Sequence, residues 1–356
     1  MKFSTFHLFH RFEGETAAEV YGHHVRLIEL AEELGFDGVR IAEHHFRDYG
    51  AVPSSLGLLA HLAGRTERLR LGTGIVVLPL HHPVHVAEQA AQVDVLSGGR
   101  LDFGVGRGYQ GYEFDGFGVD LAEARARFDE SLDTVLALWS GKPVHRVGEF
   151  GSVAPGLDEG VELVPRPVQL PHPPVHVAAV SPETVERYAA RGLPILADPA
   201  APFRKVAAAA EAWRATAAAH GHDAGAAELV VARSVHVAPT VRRAREDLDR
   251  FEAAFDRSRI FNERSAPIDR GTGATAQGFE YWQHRYLKGG DVGPDFRWEQ
   301  LEVAGDPERV IAQIRMLREM GFDHLLCDFG STRRMATDEA AGLLRLFAEE
   351  VIPAFR

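Results

Sequence analysis

Four short runs of this 356-residue chain carry side chains suited to chemistry. Glu43-His44-His45-Phe46 sets two imidazoles beside a carboxylate. Imidazole titrates near neutrality, so either ring suits general acid–base work. Adjacent residues at a strand end point to opposite faces, so at most one of the two faces a common site directly. The plain alternative is a partly buried histidine tied to a loop carbonyl. Gly106-Arg107-Gly108-Tyr109 offers a guanidinium fork between glycines that let a ligand approach the backbone. A tight turn would look the same. Ser181-Pro182-Glu183-Thr184 reads as a helix start. It is either an ordinary cap or an anion site made of free N–H groups and hydroxyls. His81-His82-Pro83-Val84-His85, with His7, His10, His172 and His176, raises a metal hydrolase as a competitor. The one His-x-His pair, His220-Gly221-His222, follows an Ala-rich helical pattern and does not stand at a strand end, so no metal site is expected and the His81–His85 run reads as a polar loop leading into a helix. If the arginine and hydroxyl runs converge, a phosphate-bearing cofactor is the economical explanation.

These runs need elements to position them. Four times a helical pattern stops at glycine and an apolar strand follows: at Gly35, Gly98-Gly99, Gly192 and Gly321. Glycine ends a helix in the left-handed region without a Cβ clash. The first and last of these junctions share the word Gly-Phe-Asp, at 35–37 and 321–323. Strands are expected near residues 2, 38, 70, 101, 175, 194, 229 and 324, the third as one run from Arg70 to Val77. Helices fall between them, among them 85–96, 121–139, 201–220 and 241–255. Eight strand–helix units predict an α/β chain folded as a (β/α)8 TIM barrel with insertions. An open doubly wound sheet is the alternative, and the missing Gly-rich nucleotide fingerprint speaks against it. In such a barrel chemistry sits at the C-terminal strand ends, which is where all these runs except the histidine-rich loop fall.

Residues 141–172 break the rhythm and suggest an excursion with a short hairpin; residues 259–300 lack apolar periodicity and read as a lid-like insertion. No linker divides the chain, so 1–356 is expected to be a single domain. With 39 Lys and Arg against 51 Asp and Glu, the net charge is −12, which argues against nucleic-acid and anionic-membrane partners. One cysteine, Cys327, excludes an internal disulfide. No apolar run approaches a bilayer span and the N-terminus is no signal peptide, so a cytoplasmic protein is expected.

The chain resembles the bacterial luciferase family of flavin-dependent monooxygenases, most nearly its catalytic α subunit. The resemblance rests on LGFDGVRIAEHHF (34–46), LGTGIVVLPLHHPVHVAEQ (71–89), LSGGRLDFGVGRGYQGYEFDGFGVD (96–120), PPVHVAAVSPETVERYAARGLPIL (173–196) and YLKGGD (286–291). It implies a luciferase-like barrel that takes reduced FMN from a separate flavin reductase. It also implies that O2 adds at flavin C4a to give a peroxide, which oxidises an aldehyde or another small or medium molecule. The family's catalytic histidine falls on His44 and its phosphate-binding arginine on Arg107. Its phosphate-side hydroxyls fall on Ser181 and Thr184, and its non-prolyl cis peptide under the ring on Gly74-Ile75. Gly106, Gly108, Tyr109 and Val180 complete the expected cofactor site, and the mobile lid falls on 262–292 with Lys288. Three positions depart from the α subunit. Gly106 stands where it has a reactive cysteine, Val180 where it has an acid and Gln110 where it has a tyrosine. A homodimer, paired through helices near 51–64 and 85–95, is expected. A deazaflavin-dependent oxidoreductase and a non-catalytic flavin-binding partner subunit are the alternatives.

Overall fold

The computed structural model describes residues 1–179, 181–257, 294–330 and 333–356. Eight parallel strands close into a barrel. They are β1 (Lys2–His7), β2 (Gly38–Ile41), β3 (Arg70–Thr73), β5 (Leu101–Gly106), β6 (Val175–Ala178), β7 (Ile195–Ala197), β8 (Val230–Val237) and β10 (His324–Asp328). β1 pairs with β2 on one side and β10 on the other, and β8 pairs with β10 to complete the ring. Each expected strand start lies within one residue of an observed one. The glycines expected to stop helices all have positive φ: 79° at Gly35, 65° and 84° at Gly98 and Gly99, 68° at Gly192 and 96° at Gly321.

The outer layer comprises α1 (Ala17–Glu33), α2 (Ser55–Ala63), α3 (Pro83–Leu96), α4 (Gly111–Phe117), α5 (Ala124–Trp139), α6 (Pro182–Ala189), α7 (Phe203–Ala219), α8 (Val241–Arg257), α9 (Pro294–Gln300), α10 (Pro307–Glu319) and α11 (Thr337–Glu350). The core lies between barrel and helices, with Leu59, Leu71, Phe103, Val135, Trp213, Leu325 and Phe347 fully buried. α1 begins at a capping box: Thr16 takes the Glu19 amide, and Glu19 takes the Thr16 amide in return.

The barrel interior is polar at its lower end. Arg40 crosses it, fully buried, donating to Thr73 O at 3.3 Å and to His176 Nδ1 at 3.2 Å, with Asp102 at 3.8 Å. Two glycines make room for it: a Cβ on Gly72 would lie 2.3 Å from Arg40 Cδ, and one on Gly104 3.2 Å from Nη1. Arg70 also grips Asp102, so the buried charges compensate one another.

Three expectations change. The third strand is not continuous: it stops at Thr73, a cis Gly74-Ile75 bond follows, and a short β4 (Val76–Val77) resumes beside β5. α4 had no periodic signal, because its seven residues GYEFDGF hold two glycines and alternate apolar with acidic side chains. The end of the aperiodic stretch 259–300 is helical, as α9, whose Trp298 packs against Ala238, Ala244 and Ala304. Residues 258–293, with the expected lid and Lys288, lie outside the described residues, as does Val180. Within 141–172 the antiparallel bridges Val144–Val161 and Arg146–Val153 form the expected hairpin. β9 (Val303–Gly305) pairs in parallel with the end of β8.

Candidate active site

A cavity of about 320 Å³ opens among the C-terminal strand ends. Its floor is Phe6, Ile75, Leu196 and Ala232, packed over Leu326. Of the residues singled out by sequence, His44, Gly74, Ile75, Gly106, Arg107, Gly108, Tyr109, Ser181 and Thr184 all line it. Chain segments more than a hundred residues apart thus meet at one mouth.

His44 follows β2. Its Nδ1 bonds to Glu113 Oε1 at 2.9 Å, and the same oxygen accepts the His45 amide at 2.9 Å. Glu113 is buried and sits in the first turn of α4, so that short helix fixes the imidazole. With Nδ1–H donated to the carboxylate, Nε2 carries the lone pair. Tyr49 packs edge-on to the imidazole, with centroids 4.8 Å apart, and Tyr109 lies at 6.4 Å. Burial, helped by Tyr49, Asp198 and Glu113, pushes the Tyr109 phenol well above its usual pKa, so it stays a neutral donor.

His45 is buried and is not part of the lining. Its Nε2 lies 3.2 Å from Glu43 Oε1, which also takes His81 Nε2 at 2.7 Å and the Val77 amide at 3.3 Å. Glu43, His45 and His81 form a group of three metal-ligand types. Both imidazoles converge on one carboxylate oxygen, so their N–H groups are engaged with it. Burial alone would raise the Glu43 pKa, and these two histidines bring it below its usual value. The His81 pKa is lowered by burial and raised further by Glu43, for a net rise. The cluster braces the strand end and the return at Val77.

The opposite side of the mouth is cationic. Arg107 has no hydrogen-bond acceptor or ion-pair partner among the described residues; burial and then the nearby charge of Arg125 lower its pKa. Arg125, in the first turn of α5, also lines the cavity, with Glu183 at 3.8 Å. Ser181 precedes α6, but its hydroxyl does not cap the helix. It donates to Thr184 Oγ1 at 2.8 Å, leaving the first-turn amides without a side-chain cap. Two guanidinium groups, two hydroxyls and a bare helix N-terminus converge, a donor set matched to a phosphate. Gly106 lies against Ile75, where a Cβ would meet Cδ1 at 2.3 Å, so a larger residue here requires the end of the Ile75 side chain to move.

Sequence reasoning missed Arg125, Tyr49, Glu113 and Asp198. Glu113 lay inside a quoted motif, but nothing local says that it reaches back 69 residues to His44. Arg125 resembles any charged residue on a helix. It missed too the polar wall at β8 and β10, where Arg333 donates to Val235 O at 3.2 Å and to Ser234 Oγ, with Glu302 at 3.6 Å.

The comparisons with known proteins place the chain in a family. Residues 1–324 match the model of the luciferase-like monooxygenase family, and the chain belongs to that family. Membership places it among flavin-dependent monooxygenases, the enzyme class expected from the sequence. An uncharacterized protein of Sinorhizobium fredii is 39% identical over 188 residues, about half of each chain (52% of both). The oxygenase component of a flavin-dependent trigonelline monooxygenase from Acinetobacter baylyi is 26% identical, covering 100% of this chain and 96% of its own. The alkanal monooxygenase alpha chain of Photobacterium leiognathi is 27% identical, covering 99% and 98%. Among solved structures, the monooxygenase RslO1 of Streptomyces bottropensis superposes with a TM-score of 0.82 at 28% identity over all of both chains. The oxygenating constituent of 3,6-diketocamphane monooxygenase from Pseudomonas putida, in complex with FMN, gives 0.78 at 19% identity, covering 99% and 98%. No helix among the described residues is long and apolar enough to cross a membrane.

Proposed function

We propose that the chain is the oxygenase of a two-component system: it takes reduced FMN from a separate reductase and uses O2 to oxidise a small or medium organic molecule. The observation that carries this reading is Arg107, a half-buried guanidinium without a partner among the described residues, set beside a second arginine and an uncapped helix at a cavity edge. An unpaired cation held beside a like charge is costly unless an anion joins it. A flavin monophosphate meets that demand and leaves its ring to lie over the apolar floor. The related oxygenase component from Acinetobacter supports a separate reductase.

The residues then divide the work. Arg107 and Arg125 hold the phosphate, with Ser181 and Thr184 completing the shell. Gly74, Ile75, Gly106, Gly108 and Tyr109 would hold the ring. Phe6, Leu8, Val77 and Leu196 exclude water. When bound, reduced FMN supplies the two electrons that activate O2. His44, oriented by Glu113, accepts a proton at Nε2 and returns it as the substrate is oxidised. Protein side chains fitted for proton transfer contribute about 10²–10⁴ in rate. Anaerobic titration with reduced FMN, followed by oxygen in stopped flow, tests the reading. Binding with a long-lived oxygen-dependent absorbance change is expected; no binding of reduced FMN would refute it.

The reading extends to assembly. α2 and α3 pack on each other, and α3 ends in exposed Val95 and Leu96. A symmetric pair of chains formed through these helices is the arrangement proposed.

A further inference from the structure

Two acid–base side chains face each other across the cavity, and the reading above uses one of them. In the ring β10-β1-β2-β3-β5-β6-β7-β8, β2 and β7 stand four places apart and are therefore diametrically opposed. His44 follows β2; Asp198 follows β7 directly; both line the cavity. Asp198 lies two residues beyond Leu196 of the floor, so strand periodicity places it on the inner face at the rim.

The Asp198 carboxyl is only half engaged. Oδ1 accepts the Ala200 amide at 2.7 Å, and no described residue donates to Oδ2. The guanidinium of Arg233 on β8 does not form an ion pair with it. Its Nη1 bonds instead to the backbone oxygens of Asp198 and Ala232, at 3.0 and 2.8 Å. The other groups facing Asp198 are the Tyr109 phenol from the β5–α4 loop and, across the cavity, His44. Other rim acids are committed: Glu113 to His44, and Glu302 to Arg297 at 2.5 Å.

We propose that Asp198 selects and orients the substrate, its carboxyl donating a hydrogen bond to a carbonyl oxygen on the side of the organic molecule turned away from His44. Burial raises its pKa above the usual carboxyl range, against the Ala200 amide and Arg233, so the O–H donor persists to higher pH. A carbonyl compound then spans the cavity between donor and base, its reacting carbon over the floor. A hydrocarbon of the same shape leaves the acid unpaired and binds more weakly. While the carboxyl is protonated, an ammonium compound gains little from it. The inference rests on the monooxygenase reading for the identity of the occupant, but not for the recognition itself.

The test uses three probes on one skeleton: acetophenone, ethylbenzene and 1-phenylethylammonium. Each is titrated calorimetrically into the full chain, with and without FMN, and reduced-FMN affinity is measured separately under anaerobic conditions. Wild type is expected to prefer acetophenone to ethylbenzene by about tenfold, the worth of one good hydrogen bond. Asp198→Ala should bring the two to parity, and Asp198→Asn, which keeps an N–H donor, should retain most of the preference. Raising the pH until the carboxyl ionises should erode the preference in wild type and not in Asp198→Asn, a dependence that a purely structural role would not produce. Reduced-FMN affinity should stay within about twofold in both variants. An unchanged preference in Asp198→Ala, no acetophenone binding to wild type, or tightest binding of the ammonium would overturn the proposal. Failure of wild type to bind reduced FMN, with the acetophenone preference intact, would instead overturn the flavin reading.

Discussion

Arg107→Ala separates ligand binding from stability, because the two should respond in opposite senses. Among the described residues the side chain has no partner, and it feels the like charge of Arg125 while partly desolvated. Removing it deletes no hydrogen bond and relieves a repulsion, so the melting temperature should hold or rise slightly. With FMN bound, the same deletion removes a charge-assisted contact worth about 1.5–3 kcal/mol. That corresponds to a roughly 10- to 150-fold loss of reduced-FMN affinity. Riboflavin has no phosphate and should bind wild type and variant alike. Arg107→Lys should recover part of the loss, since a point charge replaces the bidentate fork. The assay is anaerobic titration of both flavins, with a thermal melt of each variant. If riboflavin and FMN weaken in parallel, the arginine is not reading the phosphate. If the variant melts well below wild type, Arg107 has a structural partner and the argument fails.

His44→Ala should bind reduced FMN within a few-fold of wild type, yet lose most substrate oxidation and release hydrogen peroxide instead. His45→Ala, which breaks the bond to Glu43, should affect mainly stability, and single-turnover kinetics with denaturant melts on both will show whether the roles are reversed. Gly72→Ala forces a methyl to 2.3 Å from the Arg40 side chain and should destabilise by about 3 kcal/mol in urea unfolding; a change below about 0.5 kcal/mol would mean that Arg40 has room to move. Acid should unfold the chain early. Burial lowers the pKa of His7 and of His176 to about 3 and that of His236 to about 4, so these groups contribute stability in full above about pH 6.5 and lose it as pH falls toward those values. The slope is about 1.4 kcal/mol per pH unit for each histidine, roughly 4 for the three, and a flat urea midpoint between about pH 6 and 4 would refute it. Sedimentation velocity should give a species near twice the 39.1 kDa chain mass, and a monomer at all micromolar concentrations would rule out pairing through α2 and α3.

The barrel was legible because its punctuation is local. A helix stop and a buried strand each occupy a few consecutive residues, and the Gly35, Gly192 and Gly321 junctions needed nothing distant. The rule that chemistry sits at C-terminal strand ends then picked out His44, Arg107 and Ser181 before any cavity was seen. Pairings across the barrel were not legible. Glu113 reaches His44 and Arg125 stands beside Arg107 only because α4 and the start of α5 fold back over the mouth. α4 itself is too short and too rich in glycine to announce a helix. Asp198 was missed for another reason: in Leu-Ala-Asp-Pro it reads as a turn residue, and the amide bond from Ala200 shows that it is one. Its second oxygen has a separate significance that only the cavity reveals.

The same barrel treats charge in two ways, and the difference locates its function. Below the floor the buried charges inside the barrel are answered. Arg40 meets Asp102 and His176, Arg70 meets Asp102, and Glu228 takes Lys2 and His324, itself bonded to Ser4 at 2.7 Å. Such a layer is rigid, because moving any member strands another. Above the floor, among the described residues, Arg107 has no hydrogen-bonded anion, Asp198 no ion pair and the α6 N-terminus no side-chain cap. Each would cost less if paired, and each faces the same space. A chain that satisfies its charges a few ångströms away has the means to satisfy these; leaving them open is reasonable only if ligands complete them. Arg107 and the α6 amides call for an anion on the β5–β6 side, and Asp198 for an acceptor on the β7 side. On the proposed reading the cavity would take two chemically different occupants at once, a flavin phosphate on one side and an organic substrate on the other.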